Sequence, residues 1–285
     1  MFNAVKMDLY RMFKSRNFYV MGIILAAAVL FSTAMEVVAE DTVEREAGYE
    51  QEYEQEELNE APEDMHMGLS VESVFKKGEK ITVDKMLFAN IRAKFFALFM
   101  VIFAVNFSIA DINSGYIKNI GGQISHRWNL VMAKAAALFV YTVLSFLLCV
   151  IMQILTNRIF FGYIVWGDKA VLAGYIMTQM CLHFALVMIC MMVTLLFRSH
   201  AGSMVIAIFL CMNVQIIVYG FIDKLIANVA DTDFHIAEHT VTGKIALLPL
   251  DMSEKQSLYA VMTAAGFAVA TFLISSLVFE KRDIV

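Results

Sequence analysis

His235 and His239 stand one helical turn apart near Asp231, Asp233 and Glu238, residue types that can present two imidazoles to one metal ion. They do not follow the His-Glu-x-x-His order and have no cysteine beside them, so a solvated turn is expected, with no metal and no cofactor. Nucleotide chemistry is not encoded by a phosphate loop either. Gly243-Lys244 is followed by Ile245 and lacks the preceding glycine, so the chain does not hold ATP by that device. Within the long apolar stretches the notable polar residues are Asn106, Gln153, Gln179, His183, Asn213 and Gln215. Gln179 and His183 share a helix face. In lipid an amide must find a partner, and a helix-to-helix hydrogen bond worth roughly 0.6 kcal/mol is the default, with a place on a substrate path as the alternative. Paired aspartates or a Ser-His pair for intramembrane hydrolysis are not found in these stretches, and the missing carboxylates argue against a proton relay.

The elements that must position these residues are helices in a bilayer. Six apolar stretches without Asp, Glu, Lys or Arg run Phe18 to Met35, Phe95 to Ala110, Ala135 to Leu155, Ala170 to Phe197, Ala201 to Ile222 and Gln256 to Phe279. All but the second approach or exceed the ~18 to 20 residues that cross ~30 Å of hydrocarbon. The second can begin near Leu87, if Arg92 and Lys94 lay their stems along the apolar surface and reach back to the headgroups. The expected fold is all-α: a polytopic membrane protein with six transmembrane helices, an N-terminal amphipathic interface helix and a short cytoplasmic coupling helix. Residues 1–17 would form the interface helix and 18–285 the membrane domain, with an acidic external loop at 36–86 and a cytoplasmic loop at 111–134.

A net charge of −5 hides a segregation: residues 36–84 carry a net −12, leaving +7 elsewhere. Lys6, Arg11, Lys14, Arg16, Lys118, Arg127, Lys134, Arg198, Lys281 and Arg282 all fall on one side of a six-span layout, which places both termini in the cytoplasm. The first apolar run exceeds the 7 to 15 residues of a signal h-region, so it reads as a span rather than a cleaved leader. Cys149, Cys181, Cys190 and Cys211 lie inside spans and serve as small apolar residues rather than as a disulfide framework.

Outside the spans three segments stand out. Phe2, Val5, Leu9, Met12 and Phe13 recur at helical spacing, opposite Asn3, Lys6, Tyr10 and Lys14, as in a helix lying in the interface. Glu44 to Glu60 is dense in glutamate and reads as a solvated stalk, or as a surface that collects cationic ligands. In the central cytoplasmic loop Ile117, Ile120 and Ile124 form one apolar stripe, Asp111, Asn113 or Ser114 can cap the helix, and Gly121-Gly122 permits a bend. Such a helix suits either a groove on a soluble partner or a plain interfacial connection.

Asp8-Leu9-Tyr10-Arg11-Met12-Phe13-Lys14-Ser15 with Phe18-Tyr19, Gly115-Tyr116-Ile117-Lys118-Asn119 followed by Arg127 and Lys134, and the closing Phe279-Glu280-Lys281-Arg282-Asp283-Ile284 carry a resemblance. The chain resembles permease subunits of type-two ABC exporters, especially the bacterial group of bacitracin-resistance and lantibiotic-immunity transporters. That resemblance implies a multi-pass subunit in a bacterial cell membrane, paired with a second permease as a homodimer or paralogous heterodimer, and docked to a separate ABC ATPase. It implies a coupling helix over Gly115 to Ile124, with Tyr116, Ile117, Lys118, Ile120 and Ile124 meeting the ATPase. Lys6, Arg11, Lys14, Arg127 and Lys134 would line the cytoplasmic interface, and Asn228 to Lys255 would form a small external element. Asn106, Gln153, Gln179, Asn213 and Gln215 are the candidates for pathway or packing roles. The implied cargo is an amphipathic peptide, a cationic peptide among them, an antibiotic or a lipid; no nucleic-acid partner is implied. A non-transporting sensor or scaffold, with the acidic loop as receptor, is the other reading.

Overall fold

The computed structural model describes residues 2–46, 67–69, 80–113, 128–230 and 235–281. Its order is α1 (Phe2–Lys14), α2 (Arg16–Glu46), α3 (Val83–Arg92), α4 (Phe95–Asn113), α5 (Trp128–Phe160), α6 (Lys169–Phe197), α7 (His200–Cys211), α8 (Ile216–Ala230), a 3-10 turn (Ile236–His239), α9 (Val241–Leu247) and α10 (Glu254–Lys281). The fold is all-α, with no strand among the described residues. The segments with the expected coupling helix and the densest part of the acidic loop lie outside the described residues.

Five helices are long and apolar enough to cross a membrane: α2, α4, α5, α6 and α10. A sixth crossing exists only if α7 and α8 count together, because they meet at 66°. The stretch Ala201 to Ile222, expected as one helix, is therefore broken. The expected extension of the second span toward Leu87 is broken too: α3 ends at Arg92 and α4 begins at Phe95. Hydropathy registers the apolar run but not a local change in backbone.

Lipid is as apolar as leucine, so these helices associate through packing and polar contacts rather than by escaping water. Near the α1 end, the rings of Phe103 and Tyr141 stack 3.8 Å apart and Phe18 meets both edge-on, fastening α2, α4 and α5 together. Ile23, Phe31, Leu147, Phe221 and Met262 are exposed in the isolated chain. On a soluble protein such surfaces would mark contact patches; on helices long and apolar enough to cross a membrane they suit contact with acyl chains or with another spanning helix.

At the end away from α1 the short elements form a cap. In α3 every residue from Val83 to Ile91 except Lys85 is buried, and in α9 every residue from Val241 to Ala246. The cap is stitched to the α5–α6 connection: Val83 N–H donates to Val165 O at 3.0 Å and Gly167 N–H to Asp84 Oδ1 at 2.9 Å. A Cβ on Gly243 would lie 1.9 Å from the backbone oxygen of Ala237, so that position requires glycine, whereas one on Gly167 would meet the Asp84 side chain and displace its carboxylate. Asn228 to Lys255, expected as a small external element, holds the 3-10 turn and α9, inserted against α6, α3 and α10.

Candidate functional site

Two polar assemblies interrupt the apolar interior. The first lies where α1 packs across α4 and α5. Asp8 and Met12, one turn apart, are the buried residues of α1, whereas Phe2 and Phe13 of the expected apolar stripe are exposed, 89% and 41%. The inward face of α1 is thus partly charged. Arg11 donates to Asp8 Oδ1 at 3.2 Å and, through its other terminal nitrogen, to Asp111 Oδ1. Lys134 Nζ donates to the second oxygen of Asp111 at 2.6 Å and to Phe107 O at 3.3 Å, with its ammonium 4.4 Å from the Phe107 ring centre.

Asp111 therefore carries two cations from two other helices, and all three of Asp8, Asp111 and Lys134 are buried. Burial pushes the Asp8 carboxyl above its usual range, against the lowering pull of Lys134 and Arg11. A small cavity beside the cluster is bounded by Asp8, Asp111, Lys134, Leu195 and Phe279. Asp111, expected as a cap, lies within α4 with its carboxylate engaged by Arg11 and Lys134, and those two residues, expected to line the cytoplasmic interface, converge on it. Lys6 and Lys14 remain exposed, Lys14 with its ammonium 5.5 Å over the Tyr10 ring. Tyr116, Ile117, Lys118, Ile120, Ile124 and Arg127 lie outside the described residues.

The second assembly sits where the two helix breaks meet. Lys94, between α3 and α4, and Asn213, between α7 and α8, both hold left-handed backbone, φ 58° and 56°. That is uncommon for a residue with a side chain. Lys94 Nζ donates to Asn213 Oδ1. Lys94 is 0% exposed and, among the described residues, forms no ion pair. The expectation that it reaches the headgroups is overturned: α3 and the α7–α8 elbow enclose it. An ammonium removed from solvent with one amide acceptor is costly, on the order of several kcal/mol.

On α6, His183 lies within electrostatic reach of Lys94. Its Nδ1 sits 2.8 Å from Gln179 O, so this nitrogen carries the proton and Nε2 is left as an acceptor. His183 Nε2 and Gln179 Oε1 are both buried without a hydrogen-bond partner. Gln179 Nε2 donates to Tyr175 OH at 3.2 Å and to Ile245 O of α9 at 3.4 Å, tying the cap to the same face.

The other polar residues have packing roles. Gln153 donates to Thr33 Oγ1 at 3.0 Å and Asn157 Oδ1 at 2.8 Å, within a buried network that includes Asn90 and Ser32 at 2.6 Å. Asn106 Oδ1 accepts from His200 Nε2 at 2.7 Å, bracing α4 against α7. Gln215 Nε2 donates to Leu210 O at 3.3 Å across the α7–α8 elbow, supplying a carbonyl that the break leaves unpaired.

His235 and His239 do not converge. They lie on a 3-10 turn of four residues, His239 Nδ1 is 2.6 Å from Tyr259 OH, and His235 is 3.9 Å from Asp223. The order His-x-x-Glu-His at 235–239 occurs in inverted zinc peptidases, but a single 3-10 turn does not stack the two rings on one face as an α-helix does. Among the described residues no three ligands group for a metal. The four cysteines are unpaired, and Cys149, Cys190 and Cys211 are buried. Burial also lowers the Lys244 ammonium in the cap, where it lies 4.0 Å over the Tyr259 ring, while Glu238 opposes the shift.

No curated protein matches the chain. A family profile matches residues 71–285, which takes in the break assembly, the α4–α5 half of the charged cluster and the cap, but not α1 or α2. On that match the chain belongs to the DUF2705 family, described as proteins of unknown function.

Proposed function

We propose that this protein is the membrane-spanning permease subunit of an ATP-driven ABC exporter, with both termini in the cytoplasm. It forms half of a translocation pathway for an amphipathic peptide, antibiotic or lipid together with a second permease, and takes its energy from a separate ATPase. The observation that carries this reading is the grip of Arg11 and Lys134 on Asp111. Asp111 lies in the last turn of α4 and Lys134 in the second turn of α5, so the two helix ends that flank residues 114–127 are tied to each other and to α1. A push on that connection by a soluble motor would reach α1, α4 and α5 together. The resemblance of the same three segments to exporter permeases supports the reading, as does the lack of a phosphate loop in this chain.

The test is co-purification of the ATPase and substrate-stimulated hydrolysis for wild type, Ile120→Asp and a control at Tyr49. A charge at a central contact typically costs ~2 kcal/mol or more, roughly thirtyfold in affinity. Association lost in Ile120→Asp, with insertion intact and the Tyr49 control unchanged, is the expected result. Full association and stimulation in Ile120→Asp would remove the coupling assignment in favour of the sensor or scaffold reading.

A further inference from the structure

Lys94 lies about 25 Å along α4 from Asp111, deep in the half of the bundle that carries the cap. A cation fully buried at the end of a span is a functional candidate by default, because an apolar interior tolerates it only where the protein supplies a partner. Among the described residues its one side-chain partner is an amide oxygen, Asn213 Oδ1, whereas an ammonium carries three donors. Broken helices that meet around a buried polar centre are also how membrane proteins free backbone and side chains to hold a ligand in the bilayer.

The neighbouring groups define what such a ligand must carry. An anionic oxygen would complete the coordination of the ammonium. His183 Nε2 and Gln179 Oε1 are acceptors, each fully enclosed and each unmatched, so they call for hydrogen-bond donors. A simple anion would satisfy the lysine but face two acceptors; a neutral alcohol would satisfy the acceptors but leave the charge. A headgroup with both an anionic oxygen and a hydroxyl satisfies all three.

We propose that Lys94, His183 and Gln179, gated by the Lys94–Asn213 bond, form a binding site for the headgroup of an anionic amphiphile that combines a phosphate or carboxylate oxygen with hydroxyl donors. In the present form Asn213 holds the ammonium and the site is closed. Entry of the headgroup replaces that bond, and the breaks at residues 93–94 and 212–215 absorb the movement. As a statement about cargo this rests on the permease reading; as a statement about binding it needs no ATPase, so its test runs on the chain alone.

The experiment follows thermal unfolding of the full chain in neutral detergent against dioctanoylphosphatidylglycerol, dioctanoylphosphatidylcholine and free glycerol 3-phosphate. Wild type should be stabilised by the phosphatidylglycerol at concentrations where the phosphatidylcholine, without hydroxyl donors or net charge, has little effect. A matching response to glycerol 3-phosphate would assign the site to a free anion with the same chemistry; a response to the amphiphile alone assigns it to lipid-like cargo. Lys94→Met, which keeps the volume and removes the charge, should weaken the apparent affinity at least tenfold. Asn213→Gly, which keeps the left-handed backbone and removes the competing acceptor, should bind at least as tightly as wild type. Lys6→Gln with Lys14→Gln controls for exposed cations and should leave the response unchanged. The proposal is overturned if wild type shows no preference for the anionic amphiphile, if Lys94→Met binds it as well as wild type, or if the exposed-lysine control abolishes the effect. The wild-type comparison decides the matter even if Lys94→Met does not fold.

Discussion

Lys134 Nζ lies 2.6 Å from Asp111 Oδ2 across the seam between α5 and α4, and both side chains are withdrawn from solvent. Because Arg11 takes the other oxygen of the same carboxylate, the three helices share one anion.

Asp111→Asn should therefore be severe. It leaves the Lys134 ammonium buried without its counter-charge, a loss typically about 3–5 kcal/mol. The midpoint of thermal unfolding in detergent should fall by several degrees, and α1 should become accessible to protease. The double variant Asp111→Asn with Lys134→Met should recover much of the loss, and no recovery would mean that the two residues do not act as a pair.

Asp8→Asn should behave differently, although Asp8 also pairs with Arg11. Its carboxyl is raised by burial, so the folded protein binds that proton more tightly than the unfolded chain does. The Asp8 contribution therefore favours folding below the usual carboxylate range and is lost as pH rises through the raised value. At pH 7 Asp8→Asn should be as stable as wild type or more so, and its stability should fall less than that of wild type between acid and neutral pH. Parallel pH profiles for the two proteins would contradict this.

Gly243→Ala places a Cβ on the Ala237 carbonyl, which is backbone and cannot swing away. The α9 cap should loosen from α6, seen as faster hydrogen exchange over residues 241–247 with the exchange of α5 unchanged. Gly243→Ser should be no better, since the clash is with Cβ itself.

Gln153→Leu removes the donor that serves Thr33 and Asn157 and leaves acceptors buried between α2 and α5. Each unsatisfied group costs about 1–3 kcal/mol, so unfolding should shift downward more than for Gln215→Leu at the half-buried elbow. Equal effects at both positions would mean that the network is not a unit.

The sequence discloses the spans because bilayer thickness imposes a length and a composition that few other structures need. It discloses less where the chain departs from that rule locally. Ala201 to Ile222 contains no charge and no proline, and its glycines, Gly202 and Gly220, lie near its two ends, so nothing in its hydropathy marks the elbow at Asn213. The available signal was an amide in an apolar run, which reads equally as a packing contact. Lys94 was legible as a cation close to a span, but whether such a stem runs outward or inward depends on the break before it and on a partner 119 residues away. Asp111 was misread for a related reason: beside Asn113 and Ser114 it looks like a cap, and its cations lie on helices that local spacing does not bring together.

The elbow also bears on the host bilayer. At 1.5 Å per residue the twelve residues of α7 rise about 18 Å, well short of a hydrocarbon layer, and α8 turns away at 66° instead of continuing the climb. Bent at that angle the pair still reaches about 30 Å end to end, roughly one hydrocarbon thickness with little to spare, while α5, with 33 residues, is long enough to overshoot. Where the pair serves as one crossing, a span of bare sufficiency stands beside a long one, and the α7–α8 flank is the more sensitive of the two to bilayer thickness. A thicker bilayer would then act on the elbow, which can straighten where an unbroken span cannot.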